Sequence, residues 1–119
     1  MHSKSKKMIG SIVRTLDTLW NRGVLMKSPM VCPICNDEPV TDAHHLISRK
    51  YWRTRWLIKC GLGVGRRCHK YPARTMTWLE KNRPERYEWV QQQRKLILTG
   101  QKPEPIDFDA VYKSLVRLY

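Results

Sequence analysis

Residues 59–70 read KCGLGVGRRCHK, and residues 31–36 upstream read VCPICN. The upstream stretch carries a compact C-x-x-C at Cys32 and Cys35. The downstream stretch holds Cys60 and Cys68, with Gly61, Gly63 and Gly65 between them and His69 directly after Cys68. Two C-x-x-C pairs would be a plain tetrahedral zinc signature; here the second pair is stretched. Between the two stretches stands His44-His45, so thiols and imidazoles alternate between residues 32 and 69.

That alternation suits two different metals. Thiolates favour Zn²⁺ in a closed structural site, whereas nitrogen and oxygen donors suit a harder catalytic cation. Phosphodiester hydrolysis needs a base for water and a cation for the charge on phosphate and leaving oxygen. Adjacent histidines can divide that work. At a strand end one can hold the cation while the other faces the scissile phosphate, and His69 from a following helix can close the metal site.

The composition agrees with a polyanionic partner. Lys and Arg number 23 against 10 acidic residues, a formal charge of +13 over 119 residues, and a surplus of that size reports on partners more than on fold. The length fits one domain, 1–119, of modest core, the kind that often needs a metal staple. A membrane-spanning helix needs roughly 18 or more apolar residues in a row, and none occurs. Arg14 and Asp17 interrupt the apolar N-terminal stretch, which argues against a signal peptide. A cytoplasmic location follows as the expectation (the host cell, if phage-encoded), and there thiols stay reduced and four cysteines favour zinc over disulfides.

Along the chain, Met8, Ile9, Ile12, Val13, Leu16, Leu19 and Trp20 follow helical spacing, predicting a helix over 5–22 that stops at Gly23. Val40–Ala43 is a short strand candidate, 46–61 a basic aromatic loop, and Gly61–Gly65 a short strand or glycine-loosened turn. A helix from about Cys68 to Lys81 is expected to kink near Pro72. Asn82-Arg83-Pro84-Glu85 starts another that ends at Gly100, and QKPEPID connects it to a last helix capped by Asp107. Trp20, Trp56 and Trp78 read as core residues, while Trp52 can equally stack on bases.

The string C-x-x-C … A-H-H-L-I … T-R-W … R-R-C-H resembles the HNH, or ββα-metal, endonuclease superfamily over about residues 31–74. RPERYEWVQQQ and the aromatic final helix more loosely resemble phage recombination nucleases of the NinG/Rap kind. The resemblance implies an α+β, mainly helical fold. A small zinc-stabilised ββα-metal core at 31–81 would be flanked by the N-terminal helix and by a C-terminal helical extension, 82–119. It implies a metal-dependent DNA endonuclease acting with Mg²⁺ or Mn²⁺, on branched or recombination-intermediate DNA. His45 matches the general base, and His44 and His69 the ligands of the catalytic cation. Cys32, Cys35 and Cys68 match three ligands of the structural zinc.

Two positions depart from the family pattern. Cys60 falls where the family has asparagine, and Gly65 where it has the first cysteine of the second pair. Three readings stand: Cys60 swings round as fourth zinc ligand; the zinc takes another donor, or is absent, and Cys60 faces the catalytic site; or the hairpin is remodelled and catalysis is lost. Arg49, Lys50, Arg53 and Arg55 before the hairpin's second half, and Arg66, Arg67, Lys70 and Arg74 around Cys68, are the candidate DNA-binding residues. Such contacts go mainly to phosphates, so recognition by backbone and shape is expected. Asp42 is a candidate partner orienting a histidine. Paired cuts on a branch would call for a homodimer, and the apolar terminal helices offer a surface for one. The competing reading is a non-catalytic zinc module that binds nucleic acid.

Overall fold

The apolar stripe of the first helix runs further than the glycine rule suggests. In the computed structural model, which describes residues 5–100 and 105–119, α1 spans Lys6–Met26, with Ser5 accepting a hydrogen bond from the Met8 amide as N-cap. Gly23 does not stop it. Leu16, Trp20 and Val24 bury their side chains on one face, each contributing about 1.5–3 kcal/mol, which outweighs glycine's helix penalty of about 1 kcal/mol. Gly23 is buried on that face, and a Cβ there would come within 2.8 Å of Leu118. The predicted end at residue 22 is therefore corrected to Met26.

The chain then makes a tight knuckle. Val31 bridges Pro39, the Asn36 amide donates to the Cys32 carbonyl, and the Cys32 amide donates to the Glu38 carbonyl. Asn36 adopts a positive φ of 56°, a conformation asparagine tolerates better than most residues. The knuckle leads into β1, Asp42–His45, which pairs antiparallel with β2, Gly61–Val64. The strand lies two residues downstream of its predicted place, so both histidines belong to it. The register sets Ala43 against Gly63 and His45 against Gly61. A Cβ at Gly61 would overlap Val24 and Trp20, so the bare backbone is what lets α1 lie against the hairpin.

The basic loop between the strands contains a single helical turn, α2, Trp52–Arg55, and a 3-10 turn at Ile58–Cys60. The helix expected over 68–81 is two helices: α3, Arg66–His69, and α4, Pro72–Asn82. Pro72 opens α4 instead of kinking a longer helix, as suits a residue with fixed φ and no N–H to lose. α5 spans Pro84–Leu98, followed by Gly100 at φ 73°, and α6 spans Phe108–Val116, with Asp107 accepting from the Ala110 amide. Residues 101–104 of the proline-bearing connector lie outside the described residues.

Three apolar clusters hold these elements. Trp20, Ala43, Trp56 and Leu115 join α1, the hairpin, the loop and α6. Leu46, Ile47, Cys60, Leu79 and Val90 seat α4 and α5 behind the hairpin. Cys32, Val64 and Cys68 form the third, around the knuckle. The architecture is a mainly helical α+β globule with one two-stranded hairpin. Among the described residues no helix is long and apolar enough to cross a membrane.

Candidate metal centre and histidine cavity

The knuckle and α3 bring Cys32, Cys35 and Cys68 together, and Glu38 with them. The ligand atoms of these four all lie within 4.8 Å of one another, the only such group of three or more among the described residues. Three sulfurs and a carboxylate oxygen at that spacing make a donor set that can hold a metal such as zinc. The thiols differ before any metal arrives. Cys35 is drawn below the usual thiol range, first by the backbone amide of Asp37. Cys68 is pushed up to about 12 by burial and by the neighbouring thiols. A dication reverses that second effect outright, since a coordinated thiol is deprotonated.

Glu38 is anchored as well as adjacent. Its Oε1 accepts from the Arg67 amide at 3.0 Å and the Cys68 amide at 3.2 Å, and its Oε2 from Arg67 Nε at 3.3 Å. Cys60, offered by the sequence as a structural zinc ligand, is not part of this cluster, and that assignment is corrected. The 3-10 turn places it against Leu46, Ile47, Leu79 and Val90 instead, and burial raises its thiol above the ordinary range.

Beside β1 a cavity of about 450 Å³ opens between α1, the strand and α3. It is lined by Asp17, Trp20, Asn21, Ala43, His44, His45, Arg49 and His69. His44 meets His69 edge-on, with ring centroids 5.1 Å apart. His44 is 8% exposed, and its Nδ1 is buried with no hydrogen-bond partner. Burial, then the charges of His69 and His45, push its pKa down to about 4. His69 Nδ1 lies 2.9 Å from Asp42 Oδ2, and that bond is the first cause holding the Asp42 carboxyl below the usual range. With the proton on Nδ1, His69 keeps a lone pair on Nε2. Asp42 thus orients His69, not the nearer-in-sequence His44.

His45 is held differently. Its ring stacks on Trp20, with centroids 3.8 Å apart and planes 8° from parallel. Its Nε2 is 3.0 Å from the carbonyl of Arg55. When Nε2 carries the proton and donates, Nδ1 is left as the basic nitrogen. Burial lowers the pKa of His45 below the ordinary imidazole value. The supporting carbonyl is itself fixed from α1. Asp17 accepts from Arg55 Nε at 3.0 Å, from Arg55 Nη2 at 2.7 Å and from Trp56 Nε1 at 2.9 Å.

That clamp redistributes the candidate phosphate contacts. The Arg55 side chain is 13% exposed and paired to Asp17, and Arg53 is half-buried, with Nη1 enclosed and unpartnered. Arg67 is engaged by Asp37 at 2.8 Å and by Glu38. Arg49, Lys50, Arg66, Lys70 and Arg74 are exposed, and Arg49 reaches the cavity. Trp52, 37% exposed, packs on Trp56 and Phe108.

Asp17, Trp20 and Glu38 were not singled out from sequence as site residues. Glu38 had a signal, since it extends the knuckle to C-x-x-C-x-x-E. Asp17 is an acid in a basic helix, and its partner lies 38 positions away. Compared with protein-family profiles, curated proteins and solved structures, the chain matches none.

Proposed function

We propose that the chain is a DNA endonuclease of the HNH, ββα-metal kind, hydrolysing phosphodiester bonds in the cavity beside β1. The observation that carries this reading is the pairing of two unlike histidine sites on one strand end. His44 meets His69 edge-on, and His45 is separately oriented by a carbonyl.

The side chains support distinct tasks. His45, donating from Nε2 to the Arg55 carbonyl, would accept a proton from water on Nδ1, and its lowered pKa keeps it in the basic form at neutral pH. Water so activated attacks phosphorus, and the P–O bond to the leaving oxygen breaks. His44 and His69 would hold a divalent cation such as Mg²⁺ or Mn²⁺; the orphaned Nδ1 of His44 and the Asp42-oriented ring of His69 fit that role. When bound, such a cation stabilises charge on the phosphate and the leaving oxygen. Arg49, at the cavity wall, and the exposed Lys50, Arg66, Lys70 and Arg74 would hold the flanking backbone. Branched or recombination-intermediate DNA is the substrate class the NinG/Rap resemblance suggests. Zinc in the cysteine cluster would brace the hairpin.

A non-catalytic zinc module is the second reading. What favours it is Cys60, which stands at the family's asparagine position and is buried in the apolar cluster behind the hairpin, outside the cavity lining. Cleavage of linear and branched DNA with Mg²⁺ or Mn²⁺ separates the two. His45→Ala is expected to lower the rate by about 10²–10⁴-fold, the usual share of a general base, with DNA affinity retained. Wild-type protein that binds but cuts no substrate would leave the binding module standing.

A further inference from the structure

Gly65 is buried at the start of α3 with extended backbone, φ −74° and ψ 159°, so no conformational need calls for glycine there. The need is spatial. A Cβ at residue 65 would overlap Cγ, Cδ and Oε1 of Glu38. The Glu38 side chain therefore fills the volume that any side chain at 65 would enter, and its carboxylate ends among Cys32, Cys35 and Cys68.

We propose that Glu38 completes a Cys₃Glu zinc site from the space left open by Gly65, and that positions 38 and 65 form an exchangeable ligand pair. The carboxylate has room for this. It offers about four lone-pair sites, and three N–H groups from Arg67 and Cys68 use them now. Three thiolates and a carboxylate around Zn²⁺ leave a net negative site, and Arg67, bonded to both Glu38 and Asp37, offsets it. Three thiols release their protons as the metal binds. Because the same carboxylate holds the first amides of α3, metal loading also fixes the helix that carries His69. The proposal rests on the cysteine cluster alone and is independent of whether the protein cuts DNA.

Chelator competition and Co²⁺ substitution of the purified chain test it without any activity assay. Wild type is expected to hold one chelator-resistant metal per chain at the cysteines, with thiolate-to-cobalt charge transfer of three-sulfur intensity. Glu38→Gln keeps an acceptor for the α3 amides but is a poor metal ligand. It is expected to weaken zinc by at least about tenfold and to alter the cobalt spectrum. Glu38→Ala/Gly65→Cys is expected to recover the affinity and raise the charge-transfer intensity by about a third, as a fourth thiolate replaces the carboxylate. Glu38→Gln with wild-type affinity and spectrum would make Glu38 a helix cap only and overturn the proposal. A double variant whose affinity and spectrum match Glu38→Ala would do the same to the exchange.

Discussion

The knuckle and the histidine cavity both adjoin one short hairpin, and they are assembled by opposite means. Around the knuckle, four donors converge within 4.8 Å while two of the three thiols stand in contrary states: Cys35 is drawn toward the thiolate and Cys68 is pushed away from it. Such a donor set suits a cation. Around the cavity, the rings are already placed by protein contacts: Trp20 on one face of His45, the Arg55 carbonyl at its edge, Asp42 on His69. The first region is a donor set that can hold a metal. The packing of α1 organises the second.

Stripping the metal puts the largest strain on that contrast. Apparent binding energies of structural zinc run to about 10–16 kcal/mol in small modules, so chelation or Cys68→Ser is expected to lower thermal stability sharply. Differential scanning fluorimetry with and without added Zn²⁺ measures it. An unchanged melting curve would mean that packing organises both sides. Next in size, Asp42→Asn is expected to cost about ten- to a hundredfold in divalent-cation affinity at the cavity, as loss of a ligand-orienting partner does. Isothermal titration with Mn²⁺ checks it, and zinc content should not move.

Asp17→Ala probes the α1 side. It leaves the mostly covered Arg55 without its carboxylate and Trp56 without its acceptor, and is expected to destabilise by about 1.5 kcal/mol in urea unfolding. Equal loss of zinc affinity in that variant would merge the two regions into one cooperative unit. The smallest effect belongs to Arg49→Ala, which should flatten the salt dependence of DNA binding by about one phosphate contact, read from affinities at several salt concentrations.

Much of the helical frame was readable from residues alone. Pro84, Gly100 and Asp107 mark helix boundaries by local chemistry, and the structure places them there. Gly23 misled because its helix penalty is small beside the apolar face that passes through it. Cys32 and Cys35 were legible from spacing, since a knuckle is built over a few residues, whereas Cys68 was matched through the family resemblance. The position of Cys60 was not, because whether a thiol turns to a metal or to Leu79 and Val90 depends on where α4 and α5 dock. Asp17 was illegible for the same reason: its meaning lies in a guanidinium that only folding brings near. Glu38 falls between, with its spacing visible and its aim hidden until Gly65 is seen as empty space.

The contact at the edge of His45 is made by the backbone of Arg55, not by its side chain. A carbonyl survives every substitution at its own position, so drift at residue 55 can weaken the clamp to Asp17 without removing the group that sets the imidazole proton. Chain length is what that group cannot tolerate losing. One residue added or removed between β1 and α2 would carry a different carbonyl to His45, or none. Lineages descending from this chain should therefore vary more in the letters of the exposed positions among residues 46–55 than in the number of those residues.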